Sequence, residues 1–406
     1  MDLKSGYPFW AISNGLMHAF PALQQDTRCD VVVIGGGITG ALIAHELVEA
    51  GHDVVVVEQR DIGWGSSAAS TALLQYEIDT PMSELARRYG EADAALAYTA
   101  CAEAIPRLGT LAREVRDVGF AKMHSLYYAS RRRDVPAMRD ELALRRRHGL
   151  AVAWLSADAL RGDYGIEAPG AILSRLAARM DPYRMANRLF ARLERRGTAV
   201  FDRSTIHSIE AGSRGVTLRS SDGIRLRAEH VVVAAGYASQ QWLKEPVARN
   251  RSSYAFVTDP LDPDALQGLA DTMVWETARP YLYLRSTADH RLLVGGEDDA
   301  SDVPALRDAR VDRKARKLVT KVARVIPGLR LTPTFAWGGT FAETDDGLPF
   351  FGPHAQYGPR VHFAMAYGGN GITYSMLGAD LIRALIERRR HRLASLFSFA
   401  RLERKP

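Results

Sequence analysis

The sequence predicts a mixed α/β fold in which a parallel-sheet unit is joined to a second, β-rich domain. Three observations support this prediction. Residues 30–58, "DVVVIGGGITGALIAHELVEAGHDVVVVE", have the pattern of a strand, a glycine turn, a helix and a second strand. Residues 198–237 have the pattern of a meander of short strands, with turns at "AGSRG" and "SDG". Residues 361–390 have the pattern of a buried strand, a glycine turn and a long helix.

The first half of the chain is predicted to be mainly helical after its opening unit. An aromatic-containing arm, residues 1–28, precedes that unit. The predicted elements that follow are a strand at 30–34, a helix at 38–50, a strand at 54–58, helices from about Met82 to Val118, a strand at 124–130 and a polar helix at 134–148.

The second half returns to strand patterns. A buried strand at 231–235 ends the meander, and residues 251–296 add strands, with a hairpin around 288–290. A helix is predicted at 303–325, and the last long helix follows the glycine turn at 368–371. We therefore expect the first domain to be assembled from separated pieces of the chain, with the second domain inserted between them.

Length and composition fit a globular protein of two domains. The chain has 406 residues, of which 47% are hydrophobic and 25% are charged. Its net charge of +6 comes with basic runs at 131–133, 145–148 and 388–392, which we interpret as solvated helix faces. No aromatic-interleaved basic motif accompanies them, so we expect no nucleic-acid partner. Binding to nucleic acid or to an anionic membrane surface is the alternative that this charge leaves open.

The cysteines and the N-terminal sequence bear on the compartment. Cys29 and Cys101 are the only cysteines and lie outside any metal-ligand spacing, so neither a disulfide framework nor a metal site is predicted. The first twenty residues lack the apolar core of a signal peptide, and no apolar run reaches the roughly 18 residues of a membrane span. We expect a cytoplasmic protein without a transmembrane segment.

The glycine turn predicts a dinucleotide site. Gly35, Gly37 and Gly40 form G-x-G-x-x-G at a strand-to-helix junction, where the backbone can approach a pyrophosphate. The helix that follows adds the positive end of its dipole and its unpaired N–H groups. Glu58 ends the second strand, where an acid accepts hydrogen bonds from ribose hydroxyls and repels a 2′-phosphate.

The segment after the second strand favours one dinucleotide over another. Residues 58–77, "EQRDIGWGSSAASTALLQYE", are rich in small and hydroxyl side chains, which can lie along a diphosphate and reach a flavin ring. An NAD-binding domain needs no such segment. FAD is therefore favoured, and an NAD-dependent dehydrogenase is kept as an alternative.

Four segments together resemble the FAD-dependent D-amino acid oxidase family, which includes glycine oxidase and sarcosine oxidase. They are "DVVVIGGGITG", "GWGSSAAST", "VVVAAGYASQQWL" and "WGGTFAETDDGLPFFG…YGGNGIT", and in order and spacing they cover the chain from about Cys29 to Ile386. The resemblance implies a Rossmann-like FAD-binding domain with an inserted mixed-β substrate domain, and a flavin ring at their interface. It divides the chain into the arm (1–28), an FAD-binding domain (29–120, 171–245 and 335–406) and a substrate domain (121–170 and 246–334).

The resemblance also assigns residues to FAD. It implies contacts with the diphosphate, the adenosine and the ring from Gly35, Gly37, Ile38, Thr39, Gly40, Glu58, Gln59, Arg60, Ser66, Ser67, Thr71, Ala72, Leu73, Ile206, Ala235, Gly236, Gly369, Asn370, Gly371, Ile372 and Thr373. Some relatives attach FAD covalently through His or Cys. Residues 61–75 contain no His and no Cys follows Cys101, so we expect non-covalent FAD.

The turn at 368–373, "GGNGIT", has a physical role of its own. It opens an amphipathic helix whose N-terminus, if aimed at the flavin, would stabilise the negative charge of the reduced ring. A plain glycine turn before a packing helix is the alternative.

The substrate side departs from relatives that oxidise α-amino acids. Those relatives often have an arginine that grips the substrate carboxylate, and Phe341 stands at that place here. A buried carboxylate without a charged partner is unfavourable, so either Arg285 replaces that arginine or the substrate is an amine without an α-carboxylate. We favour the amine. Other residues predicted to line the substrate site, by cation–π contact with an ammonium, are Tyr76, Tyr254, Tyr281, Tyr283 and Trp337.

These features predict an FAD-dependent oxidoreductase that oxidises the C–N bond of a small amine or amino acid, by hydride transfer to flavin N5, to an imine that hydrolyses. No residue is assigned as a dedicated acid or base. Sarcosine-oxidase-like relatives place a lysine over the flavin for reaction with dioxygen, whereas Leu293 stands there. This weakens the interpretation as a fast oxidase and leaves a dehydrogenase open, so the expected electron acceptor is dioxygen or another molecule. The alternatives are an NAD-dependent dehydrogenase, a flavin-containing subunit of a multi-subunit dehydrogenase and a flavoprotein that modifies an amine on tRNA. The oligomeric state is not predicted.

Overall fold

The computed structural model describes residues 2–403, which form two β-sheets and the helices that cover them. The helices are α1 (Phe9–Asn14), α2 (Ile38–Glu49), α3 (Ser66–Ala69), α4 (Met82–Tyr89), α5 (Glu91–Val115), α6 (Val135–Arg147), α7 (Ala157–Tyr164), α8 (Pro182–Arg195), α9 (Pro263–Leu266), α10 (Pro304–Asp308), α11 (Val311–Val325) and α12 (Gly371–Ile386). The strands are β1 (Thr27–Ile34), β2 (Val54–Val57), β3 (Leu73–Gln75), β4 (Ala121–Tyr128), β5 (Val152–Ser156), β6 (Gly170–Arg179), β7 (Ala199–Phe201), β8 (Ile206–Ala211), β9 (Val216–Ser220), β10 (Arg225–Val233), β11 (Arg249–Thr258), β12 (Thr272–Glu276), β13 (Leu282–Ser286), β14 (Leu292–Asp299), β15 (Pro333–Glu343), β16 (Phe350–Pro353) and β17 (Val361–Met365).

The first sheet is built around β1. Its main order is β16-β17-β10-β1-β2-β7, and every neighbouring pair is parallel except β16 and β17. The β8–β9 hairpin extends from β10 through antiparallel pairing. The second half of β1 (residues 31–34) and all of β2 are continuous runs of Val and Ile, because both faces of a parallel sheet are covered.

Helices cover one face of this sheet. Val31 and Val33 of β1 pack in one apolar cluster with side chains of α2, α5, α8 and α12. Val32 and Ile34 point to the other face, where they pack with Leu218 of β9 and Phe363 of β17. Both faces of the sheet are therefore covered by apolar packing. The carboxyl ends of β1, β2 and β10 form one edge, and ligands bind at this edge in open α/β sheets.

The second sheet has nine strands, with the main order β15-β11-β14-β13-β12-β4-β6-β3, and β5 pairs with β6. The pairing is antiparallel apart from β12 with β4. Leu318 and Val322 of α11 and Leu160 of α7 pack on one face of this sheet. Its other face is turned toward the edge of the first sheet.

The predicted fold class is confirmed, and most predicted elements are present within a few residues of their expected bounds. The single helix predicted at 303–325 is wrong: α10 and α11 are separate, with a break around Ala309 and Arg310. Strand β6 and helix α8 had no predicted counterpart. Strands β6 and β15 begin within two residues of the domain boundaries predicted at 171 and 335, and both pair within the second sheet. The division into domains stays a prediction.

Several side chains of the basic runs pair with acids on the surface. Arg147 and His148 both contact Glu91, and Arg392 contacts Glu103. These pairs support the interpretation of the runs as solvated helix faces. Arg145 is an exception, because it is buried and pairs with the buried Glu141 (2.7 Å). Within residues 2–403, none of the helices combines the length and the apolar character needed to cross a membrane.

Candidate active site

A cavity of about 590 Å³ runs from the carboxyl edge of the first sheet to the inner face of the second. At one end it is lined by the glycine turn after β1, the end of β2 and the start of β8. At the other end it is lined by side chains of β11, β13, β14 and β15. The two ends form one continuous space, and each end has its own chemistry.

The glycine turn after β1 is shaped by close backbone contacts. Gly35 has φ +122°, and a Cβ there would lie 2.3 Å from the carbonyl oxygen of Ala234. A Cβ on Gly40 would lie 1.9 Å from the carbonyl oxygen of Gly35, so only glycine lets the helix approach the strand. Gly37 is different: the nearest atom to its Cβ would be the Ser67 hydroxyl at 3.1 Å, and the remaining space belongs to the cavity.

Glu58 holds the same turn from the end of β2. Its carboxylate accepts hydrogen bonds from the N–H groups of Gly36 (2.6 Å) and Arg60 (2.8 Å). Burial raises the pKa of Glu58, and these two hydrogen bonds oppose that shift. Each oxygen keeps a second lone pair, and Glu58 lines the cavity, so it can also accept from a bound hydroxyl.

The segment around α3 forms the opposite wall of this cradle. The Ser67 hydroxyl accepts a hydrogen bond from the N–H of Ile38 at the start of α2 (2.9 Å). The neighbouring Ser66 hydroxyl is buried, lines the cavity and has no partner among the described residues. A buried hydroxyl left in this condition is unfavourable unless a ligand completes its hydrogen bond.

Helix α12 points its N-terminus into the cavity. Gly371 and Ile372 line it, whereas the side chains of Asn370 and Thr373 turn away and donate to the carbonyl oxygen of Gln75 (3.1 and 3.2 Å). The start of α12 is tied to that of α2 by a hydrogen bond between the hydroxyls of Ser375 and Thr39 (2.8 Å). Two helix N-termini thus converge on one cavity, which favours negative charge on a ligand.

These features fit an adenine dinucleotide that carries a flavin. The open space over Gly37 and the unpartnered Ser66 hydroxyl suit a diphosphate, and Glu58 suits a ribose. The cavity continues past the N-terminus of α12 to the second sheet, which leaves space for a flavin ring beyond the diphosphate. The residues present therefore fit FAD.

The chamber beside the second sheet is aromatic. Tyr254, Tyr281, Tyr283, Trp337 and Phe341 line it, as does Trp275. The rings of Tyr281 and Tyr283 meet edge to face with centroids 6.0 Å apart. The Trp337 indole donates to the carbonyl oxygen of Ala69 (2.9 Å), which joins the chamber to the α3 segment.

Two carboxylates also line the chamber. Asp79 accepts hydrogen bonds from the Gly369 N–H (2.7 Å) and the Tyr281 hydroxyl (2.9 Å). Asp298, at the end of β14, has a buried Oδ1 with no hydrogen-bond partner among the described residues. Burial raises the pKa of Asp298 to about 6; the Ser253 hydroxyl and the charge of Arg279 oppose this shift, and the like charges of Glu343 and Asp79 add to it.

Positive side chains are scarce along the cavity. Among the described residues that line it, Arg60 is the only arginine or lysine, and it lies beside Glu58 at the end of β2. The chamber beside the second sheet is therefore acidic and aromatic, which suits a cation.

Arg285 does not line the cavity. Its guanidinium is buried and donates to the carbonyl oxygens of Thr71 (2.7 Å), Ser286 (2.9 Å) and Met180 (3.4 Å). Burial lowers the pKa of Arg285 to about 9. The expectation that this arginine binds a substrate carboxylate is not supported, because its donors are directed at backbone groups outside the chamber.

The other predicted residues fall into two groups. Tyr76, Gly40, Asn370 and Thr373 join Arg285 outside the lining; Tyr76 packs edge to face on Tyr98. The predicted residues that line the cavity are Gly35, Gly37, Ile38, Thr39, Glu58, Gln59, Arg60, Ser66, Ser67, Thr71, Ala72, Leu73, Ile206, Ala235, Gly236, Gly369, Gly371, Ile372, Tyr254, Tyr281, Tyr283, Trp337 and Phe341.

Sequence reasoning missed several lining residues. Asp79, Asp298, Gln75 and Ser253 were not singled out, and neither was Leu3 of the N-terminal arm. A signal for Asp298 exists, since an acid directly follows the buried run "LLVGGE" in a strand pattern. The sequence gives no comparable signal for Leu3, which reaches the cavity because the Lys4 backbone bridges to Gly339 of β15.

Known proteins are similar to this chain over most of its length. The family model described as "FAD dependent oxidoreductase" matches residues 30–385. Gamma-glutamylputrescine oxidoreductase of Escherichia coli (strain K12) is 26% identical over 387 residues, which cover 93% of this chain and 88% of that protein. Glycine oxidase of Geobacillus kaustophilus (strain HTA426) is 26% identical over 380 residues, which cover 89% and 94%.

A solved structure is similar over nearly the whole chain. The crystal structure of glycine oxidase from Geobacillus kaustophilus aligns with a TM-score of 0.78 and 22% identity, and the alignment covers 92% of this chain and 99% of that one. At this level of identity the likeness establishes the fold.

Proposed function

Because the chain belongs to the family of FAD-dependent oxidoreductases, we propose that it oxidises the C–N bond of a small amine that carries no α-carboxylate. One observation carries this proposal: the chamber next to the flavin position is walled by aromatic rings and two carboxylates, Asp79 and Asp298. No arginine or lysine among the described residues lines that end of the cavity. A substrate carboxylate would meet like charge there, whereas an ammonium would meet opposite charge and ring faces.

The names of the relatives are consistent with C–N chemistry. They include a glycine oxidase and a gamma-glutamylputrescine oxidoreductase, so both amino acids and amines occur among the substrates in those names. The replacement of the expected carboxylate-binding arginine by Phe341 favours the amine for this chain.

When bound, FAD supplies a two-electron acceptor, so that the amine gives hydride from its α-carbon and leaves as an imine that water hydrolyses. The residues around α3 and the glycine turn after β1 hold the dinucleotide. The N-terminus of α12 stabilises negative charge at the ring. Tyr254, Tyr283 and Trp337 position the substrate and exclude water from the reacting carbon.

No side chain is assigned as a general base in this proposal. The reacting nitrogen must be uncharged when its α-carbon gives up hydride, and a neutral amine drawn from solution meets that need. The molecule that reoxidises the reduced flavin is dioxygen or another electron acceptor. Leu293, which stands where some relatives have a lysine, is buried and does not line the cavity.

The proposal is tested by anaerobic mixing of the holoprotein with amines, D- and L-amino acids and N-methylated glycines, while the yellow flavin absorbance is followed. Bleaching by amines, with little or none by amino acids, is the expected result. Bleaching by amino acids alone would contradict the proposal. Admission of air afterwards shows whether dioxygen restores the colour, and hence whether it is an acceptor.

A further inference from the structure

The two acids at the end of β14 have opposite surroundings. Asp299 is neutralised by Lys314 (2.7 Å) and Arg310 (2.9 Å) and also accepts from the Tyr254 hydroxyl. Asp298 points into the chamber, where its Oδ1 is buried and has no hydrogen-bond partner among the described residues. A buried carboxylate oxygen without a donor is unfavourable in the free protein, which indicates a missing ligand.

Asp79, the other acid of the chamber, has a hydrogen-bond donor for each of its carboxylate oxygens. Both oxygens of Asp79 already accept hydrogen bonds, one from Tyr281 and one from Gly369. Arg279 lies behind the Tyr281 ring (guanidinium carbon 4.1 Å from the ring centroid) and donates to the backbone carbonyl oxygen of Asp79, but it does not line the cavity. The charges of Asp79 and Asp298 therefore face the chamber directly, and Asp298 is available for a new contact. A ligand that carries a positive charge and an N–H donor would both pair with the free oxygen of Asp298 and be attracted by the carboxylate charges.

Ring faces border the same space. Tyr283 can lie flat over β14 because residue 295 is glycine, where a Cβ would come within 2.4 Å of the ring. With Tyr281 set edge to face against it, the pair forms a wall of the chamber near Asp298. Aromatic walls next to a carboxylate are a common arrangement for binding alkyl ammonium groups.

We propose that Asp298 is a specificity-determining residue that binds a second, non-reacting ammonium group, and that the preferred substrate is a small aliphatic diamine. The inference rests on the proposed function. The nitrogen that is oxidised must be uncharged, and a carboxylate in contact with it would hold its proton in place. The cation bound by Asp298 is therefore the other amino group, while the reacting one lies beside the flavin.

The first test measures binding without turnover. tert-Butylamine has no α-hydrogen and cannot be oxidised, and tert-butanol is its uncharged counterpart of the same shape. In the holoprotein, Asp298→Asn is expected to weaken tert-butylamine binding roughly 10-fold or more and to leave tert-butanol binding unchanged, as measured by calorimetry. Asp298→Ser removes the same charge and must weaken tert-butylamine binding by a similar factor. Asp264→Asn, at an exposed position, is the matched control. Equal affinity of wild type and both Asp298 variants for tert-butylamine would overturn the inference.

The second test separates binding from chemistry. Anaerobic stopped-flow reduction is measured with tetramethylenediamine and with butylamine. For Asp298→Asn we expect the apparent Kd of the diamine to rise roughly 10-fold or more while its limiting rate constant of reduction changes by less than about threefold. A similar collapse of the limiting rate for both amines would overturn the inference, because Asp298 would then act at the reacting nitrogen. If no amine reduces the flavin in wild type, the proposed function fails, and the calorimetric result still decides whether Asp298 binds ammonium.

Discussion

The Asp79 carboxylate accepts a hydrogen bond from the Tyr281 hydroxyl, with 2.9 Å between the two oxygens. The same carboxylate accepts from the N–H of Gly369, in the turn before α12. One side chain therefore connects the second sheet to the turn that sets the position of the helix N-terminus. The cofactor cradle and the aromatic chamber meet at this contact.

The two hydrogen bonds of Asp79 predict a graded effect on FAD binding. Asp79→Ala removes both and is expected to weaken FAD binding roughly 10-fold, or about 1.4 kcal/mol, because only a part of the stabilisation from these two hydrogen bonds is coupled to cofactor binding. Tyr281→Phe removes one and leaves the Gly369 contact, so its effect should stay within about threefold. Titration of the apoprotein with FAD measures both. A larger loss in Tyr281→Phe than in Asp79→Ala would contradict this role.

Gly37→Leu is expected to abolish FAD retention while the protein still folds. A Cβ at Gly37 would have only the Ser67 hydroxyl within 4 Å, so a larger side chain would extend into the space assigned to the diphosphate. Gly162→Leu in α7 is the matched control, since a Cβ there meets nothing within 4 Å and the residue is exposed. The measurement is the flavin absorbance per mole of purified protein. Full flavin content in Gly37→Leu would show that the diphosphate lies elsewhere.

Asp298→Asn is expected to stabilise the amine-free protein in a pH-dependent way. Burial raises the pKa of Asp298 to about 6, against the opposing effects of the Ser253 hydroxyl and the Arg279 charge and with the like charges of Glu343 and Asp79. Between about pH 4 and pH 6 the folded protein keeps a proton on Asp298 that the unfolded chain has lost. The free energy of unfolding therefore falls as pH rises through this range, and above about pH 6 this carboxyl lowers it no further. The variant should gain roughly 1–3 kcal/mol of unfolding free energy near pH 8 and little near pH 4.

Denaturant unfolding of wild type and Asp298→Asn at both pH values measures this difference. Equal gains at the two pH values would mean that packing, and not the charge, is responsible. A loss of stability near pH 8 would mean that the interactions of the Asp298 carboxylate with Ser253 and Arg279 outweigh the unfavourable burial of its charge.

The N-terminal arm is expected to support cofactor binding from outside the nucleotide cradle. Trp10 of α1 donates its indole N–H to the carbonyl oxygen of Ser70 (2.7 Å), directly after α3. Trp10→Phe removes this bond and should weaken FAD binding by roughly 3- to 10-fold, because the α3 segment then loses one of its restraints. Ile12→Ala on the exposed side of the same helix is the control and should leave FAD binding unchanged. Equal affinities for Trp10→Phe and wild type would show that the arm has no part in cofactor binding.

The parts of the structure that the sequence predicts well are those encoded locally. The β1–α2–β2 unit and α12 each combine an apolar period with a glycine turn. Gly35 and Gly37 directly precede α2, and Gly371 is the first residue of α12. Their meeting at one cavity follows because β1, β10 and β17 are parallel neighbours and their carboxyl ends share an edge.

The substrate chamber could not be predicted in the same way. Tyr281, directly before β13, and Tyr283 and Arg285 within it alternate along the chain, so the pattern places them on one face. Only the two tyrosines reach the cavity. Arg285 lies further along the strand, where it donates to the carbonyl oxygen of Thr71. Whether a residue of this strand faces the cavity depends on how the two sheets pack against each other. Asp298 reaches the chamber because β14 pairs between β11 and β13, a non-local order that no local pattern encodes.

The central claim is that one cavity holds FAD beside a chamber that accepts an amine and excludes an α-carboxylate. Its most direct test compares tetramethylenediamine with ornithine, which is the same diamine bearing an α-carboxylate. Each is mixed with the holoprotein without oxygen, and the rate of flavin bleaching is recorded. We predict that the diamine bleaches the flavin and that neither enantiomer of ornithine does so at a comparable rate. Faster bleaching by ornithine would contradict the claim.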